Sequence, residues 1–278
     1  MTRVITITSG KGGVGKTSLV TNLGVALGKL GKRVIMIDLD IQMANLALMV
    51  GMEGRPITIQ DILVDEANVV DGLYDLQSNV KVLPAKLSTD KIERIPPNKL
   101  GGVLEKIKER LSPDFILLDT APGMGDEVII PLKNSTETII VTMPETISVA
   151  DSMKMVMLAE RRLTMEVTGA VVNMTKGLKE EMKPGEIQKT LGTDIIGVIP
   201  EDPDMRRSSM SGVPVMQSVP DAPSSIAIMN IAAKLAGVKA PTPEKRKKKG
   251  LIDKIREFFE SLTKKKKKLP EKKDLKMK

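Results

Sequence analysis

The sequence predicts an α/β protein built on a doubly wound, mainly parallel sheet, and three features carry that expectation. Apolar, mostly β-branched runs recur along the chain, among them VIMI, FILL, TIIV and GAVV. Near-continuous apolar strands suit a sheet covered on both faces. Helical stretches separate these runs, and strict alternation of strand and helix places ligands beyond the carboxyl ends of the strands. A glycine-rich stretch also joins the first predicted strand to the first predicted helix.

In chain order, the strands are expected near Val4 to Thr8, Arg33 to Ile37, Val80 to Pro84, Phe115 to Asp119, Thr138 to Met143, Val167 to Asn173 and Ile195 to Ile199. Helical patterns occupy Gly15 to Leu30, Asn98 to Leu111, Ser148 to Leu163 and Glu186 to Leu191. A last buried helix, Ser224 to Ala236, follows Pro223 and stops at Gly237, a helix-ending glycine. Pro241 and Pro243 then impose an extended linker. The expected organisation is a nucleotide-binding domain over 1–237, a Pro/Lys-rich linker over 238–249, an amphipathic helix over 250–263 and a basic disordered tail over 264–278.

Composition narrows the chemistry. The 278 residues are 41% hydrophobic, enough for a sizeable core. No window approaches the ~18 to 20 apolar residues of a membrane span. The opening MTRVITITSGKGG lacks the apolar core of a signal peptide, so a cytoplasmic protein is expected. The absence of cysteine excludes disulfides and thiolate-bound zinc or iron–sulfur clusters. The absence of histidine leaves acid–base work to carboxylates, lysine or positioned water. The net charge of +8 is unevenly held: residues 244–278 carry +10 and residues 1–243 carry −2. Such an asymmetry points to a tail that meets an anionic surface.

Gly10-Lys-Gly-Gly-Val-Gly-Lys-Thr17 matches the phosphate-loop pattern G-x-x-x-x-G-K-[ST]. Gly10, Gly12 and Gly15 also satisfy the dinucleotide pattern G-x-G-x-x-G, with Asp38 at the end of the next strand. Both sites turn backbone N–H groups onto phosphate oxygens. Only the phosphate loop requires an ammonium after the last glycine and then a hydroxyl for Mg²⁺, and Lys16 and Thr17 supply them. The expected nucleotide contacts are Gly10, Lys11, Gly12, Gly13, Val14, Gly15, Lys16, Thr17 and Ser18. Phe115-Ile-Leu-Leu-Asp119 delivers a carboxylate to the strand end, as a Mg²⁺ site requires, and Thr120-Ala-Pro-Gly123 follows it. Asp38 and Asp40, two residues apart on extended chain, can face one site. With no histidine present, a carboxylate of this pair is the candidate for orienting the attacking water, and Asp38 joins Thr17 and Asp119 as candidates near the metal.

Lys11, directly after the first glycine, makes the motif more specific. Lys11-Gly-Gly-Val-Gly-Lys16-Thr17, with Ile37-Asp-Leu-Asp40, Asp119-Thr-Ala-Pro-Gly123, Met143-Pro-Glu145 and Val172-Asn173, resembles the deviant phosphate loop of the MinD/ParA family of dimerising ATPases. The resemblance implies ATP and Mg²⁺ as cofactors and an ATP-dependent homodimer in which Lys11 reaches the partner's phosphates. It also implies that Asp40 positions the water, that Asn173 contacts adenine, and that Pro200 and Asp202 belong to a second base-contacting loop. Branches of the family that use cysteines for iron–sulfur clusters do not fit this composition. MinD-like membrane ATPases, ParA-like partition ATPases and FlhG-like positioning factors remain.

Beyond the linker, Leu251, Ile252, Ile255, Phe258, Phe259 and Leu262 would form one apolar stripe on a helix, with lysine runs before and after it. An anionic membrane surface suits this combination, each nearby Lys or Arg adding ~1 kcal/mol. Docking of the helix on its own domain, or in the groove of an unidentified protein partner, are the competing readings. The sequence thus suggests a slow ATPase, peripheral on the inner face of the cell membrane, that regulates division or other surface machinery. A DNA-binding partition ATPase and a nucleotide-binding adaptor are the alternatives. Arg206 and Arg207 read as solvated and are assigned no role.

Overall fold

The computed structural model describes residues 1–86 and 96–242. The stripe from Leu251 to Leu262 and the segments expected over 250–263 and 264–278 lie outside the described residues, as does most of the expected linker.

β1 (Arg3–Thr8) enters the glycine loop and α1 (Lys16–Lys29) leaves it. β2 (Val34–Asp38), α2 (Leu46–Met49), α3 (Ile59–Leu63), β3 (Tyr74–Gln77) and β4 (Val80–Leu83) follow. Next come α4 (Leu100–Leu111), β5 (Phe115–Asp119), α5 (Asp126–Lys133), β6 (Glu137–Thr142) and α6 (Thr146–Met157). β7 (Glu166–Thr175), α7 (Pro184–Leu191), β8 (Ile195–Pro200), α8 (Pro203–Ser211), α9 (Val215–Ser218) and α10 (Pro223–Ala236) complete the described chain. The strands form one sheet in the order β3-β4-β2-β5-β1-β6-β7-β8. Every neighbouring pair is parallel except β3 with β4.

The seven expected strands are all present. The added edge strand β3 pairs antiparallel to β4 through a register shift. The expected helix over 148–163 begins two residues earlier and ends in a π-helical turn, Leu158–Arg162.

Alternation along the central strands builds the layers. Ile5, Ile7, Met36, Leu117 and Val141 join the apolar residues of α1 and α10 on one face. Val4, Ile35, Ile37, Ile116 and Leu118 pack with α3 and α4 on the other. Ile140, Ala170 and Val172 pack with α5, α6 and α7. Each strand therefore buries both of its sides, which is why its sequence is continuously apolar. Polar residues enter where the strands end: Asp38 and Asp119 are register partners at the carboxyl ends of β2 and β5. That edge, with the loop after β1 beside it, is the place the fold provides for a ligand.

At the opposite edge, Arg3 closes the sheet. Its guanidinium forms a two-pronged pair with Glu137, at 2.7 Å from Nε to Oε1 and 2.6 Å from Nη2 to Oε2. It also donates to the Leu235 carbonyl of α10 and lies over the Phe115 ring. The first strand is thereby tied to the last helix, far from the ligand edge.

Candidate nucleotide site

The loop between β1 and α1 is shaped by its glycines. Gly15, the residue before α1, has φ +91°, a conformation that costs a side-chain-bearing residue roughly 1–2 kcal/mol. A Cβ there would also lie 2.3 Å from Asn173 Nδ2. At Gly10 a Cβ would lie 2.4 Å from the Asp151 carbonyl oxygen of α6. The loop is thus pressed between β7 and α6. Asn173, buried at the end of β7, donates from Nδ2 to the Val14 carbonyl at 2.8 Å.

The two loop lysines differ. Lys16 is buried and its ammonium donates to Ser9 Oγ at 3.0 Å, while Ser9 Oγ donates to the Lys11 carbonyl at 2.7 Å. Burial lowers the Lys16 pKa, against the opposing attraction of Asp119 and Asp40. Lys11 instead points outward, and its side chain is 44% exposed. Among the described residues its ammonium is paired with the exposed Glu145, at 3.9 Å. Ser9 was not singled out by sequence reading. A hydroxyl directly before the first loop glycine, at the end of a buried strand, is the signal that marks it.

Three aspartates converge on this loop. Asp38 is fully buried, and its two oxygens accept the backbone N–H groups of Asp40 and Leu46, each at 3.1 Å. Its role visible in the fold is to hold the β2–α2 loop. Burial raises its pKa well above the carboxylate range, and the Asp119 charge adds to this. Asp40 is less buried; its Oδ1 accepts the Met43 N–H at 3.1 Å. Its pKa is raised by burial, with Lys16 opposing. Asp38 therefore anchors the loop, while Asp40 remains partly exposed with its charge favoured by Lys16.

Asp119 is 1% exposed, and neither carboxylate oxygen has a hydrogen-bond partner. Burial pushes its pKa up to about 7, although the neighbouring Thr17 hydroxyl and Lys16 ammonium favour the charged form. A buried carboxylate without partners is costly in the free protein. It fits a divalent cation. Among the described residues no group of three or more acidic side chains is assembled for a metal. Mg²⁺ arriving with phosphate oxygens, and keeping several waters, needs only the Thr17 hydroxyl and a carboxylate such as Asp119. When bound, it would neutralise phosphate charge, and Lys16 and the loop N–H groups would hold the phosphates.

Beside the loop lies a cleft of about 860 Å³. It brings together Ser18 with Asn173, Pro200 and Asp202, the three residues expected to surround a base. The carboxylate of Asp202 is already engaged. Oδ1 accepts the Asp204 N–H at 2.9 Å, and Oδ2 accepts the Ser224 N–H at 3.0 Å and its hydroxyl at 2.8 Å. Asp202 thus caps α8 and ties it to α10, shaping the cleft through its side chain.

A strand, a glycine loop closed by lysine and threonine, a helix, and a carboxylate at the end of the adjacent parallel strand define a P-loop NTPase. Residues 1–236 match the ParA family, described as "NUBPL iron-transfer P-loop NTPase". An ATP-binding protein of Methanocaldococcus jannaschii, itself described as uncharacterised, is 39% identical over 92% of this chain and 96% of its own length. The septum site-determining protein MinD of Bacillus subtilis is 32% identical over 93% of this chain and 98% of its own. Among solved structures, MinD from Pyrococcus horikoshii in complex with Mg-ADP superposes with a TM-score of 0.80 at 34% identity, covering 87% of this chain and all of that one. The chain belongs to the ParA family of P-loop ATPases, and its relatives include MinD proteins. The iron-transfer part of the family description does not carry over to thiolate chemistry here, because the chain has no cysteine.

Proposed function

We propose that this chain is a MinD-like ATPase that pairs with a second copy on Mg·ATP, and that its C-terminal helix then holds the pair on an anionic membrane. The observation that carries the reading is Lys11. Its ammonium is exposed, while Lys16 alone fills the buried position at its own loop. A second lysine facing outward from a phosphate loop suits a phosphate on another subunit. Asp40, whose charge acts on Lys16, orients the water that attacks the terminal phosphate. Hydrolysis separates the subunits.

One amphipathic helix binds lipid weakly, whereas two on one dimer gain by avidity, ~10² to 10⁴-fold without new contacts. ATP would thereby gate membrane residence, and slow turnover would set its duration. The presence of septum site-determining proteins among the relatives supports a role in placing division or other surface machinery. The +10 charge of the last 35 residues is the observation that favours DNA as the alternative surface.

The test is sedimentation of full-length protein with anionic liposomes in ATP or ADP, using Asp40→Ala to block turnover. The expected result is binding in ATP, loss in ADP, and loss on deletion from Gly250 onward. Equal binding in both nucleotides would overturn the coupling, and retention by DNA but not by lipid would favour the partition reading. Light scattering of Lys11→Ala with ATP should show a monomer.

A further inference from the structure

The cleft beside the phosphate loop has a floor and a rim of different chemistry. Leu19, Ile199 and Ile228 line it and are at most 2% exposed. Arg206 and Met210 line it from α8, and both are exposed, Met210 to 84%. They stand four residues apart, so they project from the same face of that helix. The helix itself is held in place by Pro203 in its first turn and by the bonds from Asp202 to Ser224.

Among the described residues Arg206 also has no acid paired with it. The neighbouring Arg207 pairs with Asp204 at 2.8 Å. Glu201, on the same cleft, pairs with Lys176 at 3.5 Å, and both oxygens of Asp202 are engaged. A free guanidinium and a free thioether therefore hang over an apolar floor.

We propose that Arg206 and Met210 form a clamp over the outer face of the nucleobase, the guanidinium stacking on the ring and the thioether packing at its edge. This rests on the reading that the cleft receives the base. A planar, weakly hydrated guanidinium stacks on aromatic faces, and methionine sulfur makes favourable ring contacts. Every base has such a face, so the clamp adds affinity without choosing among bases. Base choice is left to the inner wall near Asn173 and Pro200.

Calorimetric titration of wild type, Arg206→Ala, Met210→Ala and Arg207→Ala with Mg·ADP, Mg·GDP and Mg·tripolyphosphate tests this. Arg206→Ala should weaken ADP by roughly 5- to 30-fold, as for a guanidinium that the ring desolvates in part or whole. It should weaken GDP by the same factor and leave tripolyphosphate within about twofold, an interaction confined to the ring leaving phosphate binding alone. Met210→Ala should show a smaller loss of the same pattern, and Arg207→Ala none. Unchanged ADP binding overturns the clamp. A parallel loss for tripolyphosphate makes Arg206 a general charge, and a loss confined to GDP makes it an edge reader; each overturns stacking. If wild type binds tripolyphosphate as tightly as ADP, the cleft does not receive the base, and the clamp falls with that reading. Both side chains are exposed, so the substitutions leave the core untouched.

Discussion

Asp119→Asn should stabilise the nucleotide-free protein while removing its ability to use Mg²⁺. The wild-type carboxylate is buried with both oxygens unpartnered, and its pKa is pushed from the ordinary 3.8 to about 7. The folded state then holds the proton more tightly than the unfolded chain. Stability contributed by the protonated form is present below pH ~4 and is lost as pH rises through about 7. At 1.36 kcal/mol per unit, and with the folded carboxyl half ionised at pH 7, wild type should lose on the order of 2 kcal/mol relative to Asp119→Asn between pH 5 and pH 7. Above that range the difference levels off. Groups distant from Asp119 cancel in the comparison, whereas Asp38 and Lys16, which feel its charge, contribute to the gap. Urea unfolding at pH 5, 6, 7 and 8, without nucleotide or Mg²⁺, measures it. In the same variant Mg²⁺ should no longer enhance the stabilisation by ATP. Parallel stability curves for the two proteins would refute the idea that Asp119 is kept costly for a cation.

The loop and the opposite edge of the sheet give further tests. Gly15→Ala must adopt φ +91° and displace Asn173 from Val14. It should cost roughly 2–3 kcal/mol in thermal unfolding, the sum of the backbone and hydrogen-bond effects, and reduce binding of Mg·ADP and Mg·tripolyphosphate together. Glu137→Gln should cost roughly 1–3 kcal/mol at pH 7, as for a charge-assisted bond. Although burial opposes ionisation, Arg3 and Thr168 hold the Glu137 carboxyl below its usual range. Its contribution is therefore present above the unfolded pKa and lost as pH falls through the lower folded one. Denaturation at pH 7 and pH 3.5 should show the gap between wild type and Glu137→Gln closing in acid, with the ATPase rate at pH 7 unaffected. Asp202→Ala should lower the melting temperature by removing the α8 cap, worth about 0.5–2 kcal/mol. It should weaken ADP more than tripolyphosphate, because it loosens only the cleft.

The fold was legible where burial leaves one solution. β2, β5, β6 and the core of β7 are apolar on consecutive residues because helices cover both faces, and no amphipathic helix shares that pattern. β3 was missed because Tyr-Asp-Leu-Gln is four residues of a half-exposed edge, held by pairing with β4 and by the Tyr74 hydroxyl on the Ile57 backbone. α5 was missed because Pro131 lies inside it, a residue that usually ends a helix. Here the Gly125 carbonyl still accepts from Val128 and Ile129, so the helix has formed before the proline intervenes. α8 was missed because Pro-Asp-Met-Arg-Arg-Ser-Ser-Met-Ser has almost no apolar stripe; a cap at Asp202 and the tie to Ser224 position it instead.

The same distinction governs the site. Lys11, Lys16, Thr17 and Asp119 announce themselves through spacing, because phosphate and metal chemistry fixes which groups must follow which. The cleft proposed for the base does not: Asn173, Pro200 and Asp202 were reached only through the family resemblance, and the cleft is assembled from α1, β7, β8, α8 and α10 by packing. A guanidinium on that packed rim is indistinguishable in sequence from its solvated neighbour Arg207. What separates them is partnership: Asp204 takes one arginine, and among the described residues no acid takes the other. Long-range geometry thus converts two adjacent arginines of one type into a surface pair and a candidate ligand contact. For this reason tripolyphosphate and ADP must be compared side by side, since only the base reports on the residues the fold recruits.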